Sequence, residues 1–478
     1  MRATTMHKTF PSSVSALVAA LTLAGCSFIP TLEKPPAPIA AQYPAAPEGA
    51  NVPPATTNVA AADLEWQAFF ADARLKRLID IALANNRDLR VAMLNVDQMR
   101  AQYEIKRADL WPTVNAAVTG TRQPGSDGGV SSVYTAGIAI TAYELDLWGR
   151  VRALKDAALA QYFATDEARK AAQITLISSV ASTYLTMRAD DELLTLTRDT
   201  LKTREESLKL TQLKYDSGAA SALDLKQAQS LVASAQVTFA QQQRQRMQDE
   251  NALTLLLGQP LPADLPASGD VKLADVSAGL PSDLLARRPD IRQAEQALIA
   301  ANANIGAARA AYFPRISLTG SLGIASTQLS KLFSDGSRAW TFTPQATMPL
   351  FDAGRTGANV DAAKVGRDIA LAQYEKSIQS AFREVADALA GRATYGDQAQ
   401  AAQVLADTEA ERFKLSDLRY KNGAASYLDL LDAQRSLFSA QQSAIQAKLA
   451  LALNQVTMYK VLGGGWKEGT EGEGAAKK

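Results

Sequence analysis

Two residue types that do chemistry are nearly missing from this chain. Its 478 residues include one histidine, His7, and one cysteine, Cys26, both close to the N-terminus. The body beyond Cys26 therefore has no means of forming a disulfide, a Cys/His metal site or a histidine general base. Carboxylate or lysine chemistry would need convergent groups in a pocket. No catalytic constellation is recognisable, so an enzyme is the least favoured class. Lysine plus arginine total 50 and aspartate plus glutamate total 49, which argues against a general basic surface for nucleic acid. A hydrophobic fraction of 47% excludes disorder by composition.

Cys26 is the one nucleophile with a defined context. Arg2, His7 and Lys8 precede an apolar run from Val14 to Gly25, too short to span a bilayer as a helix. The run ends Leu23-Ala24-Gly25-Cys26, which resembles a bacterial lipobox. In that reading residues 1–25 are a lipoprotein signal peptide. The Cys26 thiol takes a diacylglycerol group and its amine an acyl chain, and no other cofactor is expected. The alternative is an ordinary small-residue cleavage site with a chance cysteine. Ser27 follows in place of aspartate, which by resemblance to sorted lipoproteins favours the outer membrane. Residues 26–62 then form a lipidated tether. Pro30, Pro35, Pro36, Pro38, Pro44, Pro47, Pro53 and Pro54 keep it extended along the folded body, with a reach on the order of 100 Å.

The elements behind this anchor are written twice. Tyr215-Asp216-Ser217-Gly218-Ala219-Ala220-Ser221 returns as Tyr420-Lys421-Asn422-Gly423-Ala424-Ala425-Ser426. Gly149-Arg150 returns as Gly354-Arg355, and Leu257-Gly258 as Leu462-Gly463. Repeat one covers 63–257 and repeat two 283–462. Residues 258–282 and 463–478 lie outside the repeats.

Each repeat reads as an opening helix (63–110 and 283–311), two strands, and two long helices joined by a tight turn. Strands are expected near 113–121, 133–146, 315–326 and 338–351. Ile316, Leu318, Leu322 and Ile324 share one face while Ser317, Thr319 and Ser321 share the other. That alternation fits a soluble sandwich strand and a lipid-facing barrel strand equally well. Pro344 within a strand suggests a bulge or bend. Proline is absent from Arg150 to Asp216 and from Arg355 to the end. Ile174, Ile177, Ala181 and Tyr184, and likewise Leu371, Tyr374, Ile378, Ala381, Val385 and Ala388, step as coiled-coil seams. Gly391 and Gly396 are expected to interrupt the last long segment.

At the hairpin tips, near 215–221 and 420–426, Ser221 with Asp224 and Ser426 with Asp429 have the spacing of capping boxes. Gly218 and Gly423 fit the left-handed position ending the preceding helix. Four strands cannot close a barrel. If they enter lipid, copies must associate to pair the open edges, and physics alone does not choose two, three or four copies.

The run Leu284-Leu285-Ala286-Arg287-Arg288-Pro289-Asp290-Ile291, the run Ile305-Gly306-Ala307-Ala308-Arg309-Ala310-Ala311-Tyr312-Phe313-Pro314, the paired Tyr-x-x-Gly tips and Asp429-Leu430-Leu431-Asp432-Ala433-Gln434-Arg435 together resemble the TolC/OprM family of outer-membrane efflux proteins, in its lipoprotein branch. The resemblance implies an α+β membrane protein with a two-fold internal repeat. It implies a homotrimer with a 12-stranded outer-membrane β-barrel, four strands per chain, continued by a long periplasmic α-helical coiled-coil barrel. Residues 258–282 and 463–478 would supply an equatorial girdle. It also implies passive conduction of drugs or small molecules from a periplasmic adaptor and an inner-membrane pump of the RND type.

Carried onto this chain, the periplasmic gate of the family falls on Tyr420, Leu428, Asp429, Asp432 and Arg435, with Asp224 from the first repeat. Leu223 stands where some relatives have threonine, and Ala425 replaces an arginine of the TolC type, so the lock resembles the OprM type. Asp432 and Arg435, one helical step apart, fit an ion pair. Asp224 and Asp429 fit a capping role as well as a pore-lining one. Tyr215, Gly218, Ser221, Gly423 and Ser426 mark the tips expected to touch the adaptor. The same fold could serve type I protein secretion. A soluble periplasmic coiled-coil scaffold is the reading from a different class.

Overall fold

The structure is a computed structural model, which describes residues 27–33, 35–45, 61–124, 128–267, 273–274, 276, 279, 281–334 and 337–466. Cys26, the signal segment and most of the C-terminal tail lie outside the described residues. The chain divides into two compact units. One gathers parts of Met1–Pro36, Asn95–Asp166 and Gln293–Glu375; the other gathers Ala37–Leu94, Glu167–Arg292 and Lys376–Lys478.

The first unit holds a four-stranded antiparallel meander: β1 (Val114–Pro124), β2 (Val130–Leu145), β3 (Arg315–Ser326) and β4 (Arg338–Thr347), hydrogen-bonded in that order. Register carries the alternation across the sheet. Ile138 pairs with Leu322, and Leu322 with Trp340, so one row of one face is apolar. On the other face Thr119 meets Thr135 at 2.6 Å, and Ser321 meets Thr341 at 2.7 Å. Among the described residues no layer covers the apolar face: Val118 is 79% exposed, Leu322 62% and Trp340 74%. A soluble sandwich would bury these side chains, so the sheet is not half of one.

Two strand expectations change. β4 ends at Thr347, and Leu350 and Phe351 beyond it are almost fully exposed. Pro344 pairs with Leu318 in unbroken register. Within one chain β4 has only β3 beside it, so Pro344 lies on an edge strand. The bulge lies instead between Ile140 and Tyr143, where Ala142 takes φ 51° and its N–H donates to Thr319 Oγ1 at 3.2 Å.

The tether is seated on this unit. Phe28 stacks on Phe313 with centroids 4.7 Å apart, and Phe313 stacks on Trp148 at 4.9 Å. Asn302 Nδ2 donates to the Pro30 carbonyl at 2.8 Å. Gly306 leaves room for Ile29, since a Cβ there would lie 2.5 Å from Ile29 Cγ1.

The opening helices are broken, not continuous. After a four-residue helix α1 (Trp66–Phe69), α2 (Ala73–Asn85) and α3 (Arg87–Ala108) are divided at Asn86. Asp72 caps α2 by accepting from Arg74 and Leu75, and Asn86 Oδ1 accepts from Leu89 N–H at 2.9 Å to start α3. Here local side-chain capping overrides the continuous periodicity. In repeat two, α6 (Pro281–Arg287) stops before Pro289, which opens α7 (Pro289–Ala310). Phe69 and Tyr459 stack at 4.1 Å in a core that also buries Leu75, Leu78, Leu253 and Leu257.

The long helices are α4 (Arg150–Asp216), α5 (Ala222–Leu257), α8 (Arg355–Lys421) and α9 (Tyr427–Val461). The 67 residues of α4 or α8 span about 100 Å at about 1.5 Å per residue. Their seams are buried: Ile177, Val180, Ala181 and Tyr184 in α4, and Ile378, Ala381 and Val385 in α8, are at most 2% exposed. Gly391 does not interrupt α8. Its missing Cβ admits Asn454, whose amide donates to the Ala388 carbonyl at 3.1 Å. Gly396 also lies within the unbroken helix. Among the described residues no helix is long and apolar enough to cross a membrane.

Candidate functional site: the hairpin tips

The two tips repeat one another in atomic detail. At the first, Gly218 takes φ 74°, its N–H bonds the Tyr215 carbonyl at 2.9 Å, and Ala219 N–H bonds that of Lys214 at 2.7 Å. At the second, Gly423 takes φ 73°, with Gly423 to Tyr420 at 3.0 Å and Ala424 to Arg419 at 2.9 Å. These are Schellman turns, which need a residue free to adopt left-handed backbone.

Ser221 and Asp224 form a complete capping box, and so do Ser426 and Asp429. Hydrogen bonds from the Ser426 side chain and backbone hold the Asp429 carboxyl below the usual carboxylate range. Each tip is thereby set in a sharp antiparallel turn. The capping role of Asp224 and Asp429 is present in the chain.

Four of the expected gate residues come together. Leu428, Asp429, Asp432 and Arg435 line one cavity of about 440 Å³ with Gln227, Ser230 and Leu231 from α5. Tyr420 and Asp224 are not among its walls. Leu428 is 62% exposed.

The ion pair differs from expectation. Arg435 Nη2 lies 3.6 Å from Asp432 Oδ1, but Arg412 Nη2 lies 2.5 Å from Asp432 Oδ2. Arg412 also meets Glu409 at 3.0 Å. The bond from Asp432, then the charge of Glu409, lift Arg412 above the usual arginine range. Asp432 is therefore shared between two arginines on two helices.

Tyr420 joins a different cluster. Lys214 Nζ donates to its hydroxyl at 3.1 Å and sits 4.5 Å from its ring centre. The ring also lies 5.5 Å from that of Tyr427, which packs with Ala228, Leu430 and Leu431. Tyr420 thus ties the two hairpins of one chain together. Tyr215, its counterpart in the first repeat, is 41% exposed.

Sequence reasoning missed Arg412, Lys214 and Tyr427. The signal for Arg412 was present. In an antiparallel hairpin turning at Gly423, a residue 11 positions before the turn faces one about 9 after it, which is the relation of Arg412 to Asp432.

Comparison with known proteins agrees with this architecture. The sequence pattern of the family described as outer membrane efflux protein matches residues 78–259 and 280–464. The chain is 50% identical over 469 residues to the probable efflux pump outer membrane protein TtgC of Pseudomonas putida, covering 96% of each chain. It is 46% identical over 469 residues to the outer membrane protein OprJ of Pseudomonas aeruginosa, covering 95% of this chain and 96% of that one. Among solved structures, the MtrE outer membrane channel of Neisseria gonorrhoeae matches with a TM-score of 0.84 at 42% identity, covering 92% of this chain and 99% of that one. The pattern takes in most of the first repeat and all of the second, and the chain belongs to the outer membrane efflux protein family.

Proposed function

We propose that this chain is the outer-membrane duct of a tripartite efflux system and conducts small molecules passively to the exterior. The observation that carries this is the uncovered sheet. Its apolar face is bare and its edges, β1 and β4, have unpaired backbone groups. In lipid each unpaired group costs several kcal/mol, so the edges must pair between copies and close a barrel. Three copies would give twelve strands with Trp340, Leu322 and Ile138 facing lipid and the Thr119 and Ser321 face lining the lumen.

Cys26 would carry the acyl chains, with the Phe28 stack holding the start of the tether against the strand bases. The helices would continue the duct into the periplasm. There an adaptor meets the tips around Gly218 and Gly423, and an inner-membrane pump of the RND class supplies the energy. The chain's own role is conduction, not catalysis. Asp432 from each copy, with Leu428, would form the narrowing at the periplasmic end, where rings of carboxylate favour cations.

Paired cysteines test this. Cysteines on β1 and β4, around Ala116 and Phe342, should crosslink purified protein into a covalent three-chain species on a denaturing gel. Crosslinks confined to one chain, or none at any register, would overturn the closed barrel.

A further inference from the structure

Beside the tip cluster, the second unit contains a cavity of about 250 Å³ that the duct reading does not use. Its walls include Leu196 and Arg204 of α4, Phe413 of α8, and Gln434, Leu437 and Phe438 of α9. Arg204 is only 6% exposed. Its guanidinium lies 5.4 Å from the Phe438 ring centre, and Nη1 donates to the Leu231 carbonyl at 3.1 Å. Among the described residues no carboxylate lies within ion-pair distance of it. Nε has no hydrogen-bond partner, and neither does Gln434 Oε1 in the same wall.

A buried cation without a counter-ion is costly, and a buried donor without an acceptor adds to the cost. Burial, and then the like charge of Arg435, pull Arg204 below the usual arginine range. The site therefore has what a ligand would complete: a buried positive charge without a counter-ion, an amide that can turn either end inward, and two phenyl walls. Asp199 also lines the cavity, but it is exposed. An anion entering past it is drawn inward to Arg204. A dry apolar cavity of about 150 Å³ accepts benzene, so this volume suits a ring with one substituent.

We propose that this cavity is a binding site for a small aromatic carboxylate, with the carboxylate beside the Arg204 guanidinium and Gln434 and the ring between Phe413 and Phe438. The site goes beyond the conduction reading and needs neither a closed barrel nor a pump, so either can fail without the other. Occupation would cancel the charge that Arg204 sets beside Arg435, and so connects the cavity to the pair Arg435 forms with Asp432.

The test is equilibrium dialysis of the full chain in detergent against benzoate, with benzamide and toluene as comparisons. The expected result is saturable binding of one benzoate per chain, about tenfold tighter than benzamide. Benzoate should weaken by about tenfold in Arg204→Gln while toluene is held as before. Leu437→Trp, which fills the cavity, should abolish both. Benzoate uptake that is linear in concentration, or equal for benzoate and benzamide on the unaltered protein, overturns the proposal even if neither variant folds. Equal benzoate binding in a folded Arg204→Gln overturns it as well.

Discussion

Arg412 Nη2 lies 2.5 Å from Asp432 Oδ2, across the two helices of the second hairpin, closer than the same-helix Arg435 at 3.6 Å. The carboxylate at the proposed narrowing is thus held by the neighbouring helix of its own chain, and a change in hairpin geometry pulls directly on it. Arg412→Ala should raise single-channel conductance in planar bilayers by roughly twofold or more, and Arg435→Ala by less. Both effects should shrink at high salt, because exposed ion pairs are screened. Conductance in Arg412→Ala equal to that of the unaltered protein would assign Arg412 no part in closure.

A pH dependence sits in the first hairpin. Asp190 of α4 and Asp249 of α5 are both buried. Burial, then the hydrogen bond and charge of Asp249, push the Asp190 carboxyl up from 3.8 to about 7. Asp191 adds to that rise and Arg246 opposes it. A carboxyl raised on folding binds more protons in the folded than in the unfolded chain. Its contribution is complete below about pH 4 and is lost as pH rises through about 7. Asp190→Asn should therefore flatten the fall in thermal stability between those values. A slope unchanged in the variant would mean that Asp190 does not titrate there.

The tether makes a steric prediction. Gly306→Val would drive a side chain into Ile29, since even a Cβ at that position comes within 2.5 Å of it. The Phe28 stack and the Asn302 bond should then release together, and protease cleavage within residues 27–45 should speed up. Phe313→Ala should do the same by removing the ring between Phe28 and Trp148. An unaltered cleavage rate in both variants would mean that the tether is not held by this seat.

Gly137 and Gly323 face one another across β2 and β3. A Cβ on Gly137 would lie 2.4 Å from the Leu322 carbonyl oxygen, and one on Gly323 would lie 2.2 Å from that of Ala136. Backbone cannot move aside as a side chain can. Gly137→Ala should cost about 1–3 kcal/mol, read as a lower unfolding midpoint in detergent. The same substitution at Gly366, which has open space around it, should cost far less. Equal losses would remove the close approach as the cause.

What could be read early follows from what is local. The tips were legible to the atom, because a glycine at the turn and serine three residues before aspartate determine their own geometry. The seams were legible because 3- and 4-residue spacing records burial. The opening helices were not, because Asn86 caps α3 through a side chain inside a periodic stretch. The role of Pro344 was misread because edge position depends on strand order, which alternation does not reveal. Asp432 was found, but its nearer partner was not, since that contact crosses between helices and periodicity describes one helix at a time. Whether the apolar strand face meets protein or lipid is not encoded in alternation, which records only that one face is apolar.

We propose that copies of this chain close into a conducting duct. The most direct measurement is single-channel recording of the detergent-purified protein in a planar bilayer, with its mass by light scattering. A closed duct should appear as a three-chain particle with a small, cation-selective conductance. A monomer that stays in water without detergent and opens no channel would contradict it, and would assign the bare strand face to some soluble partner instead.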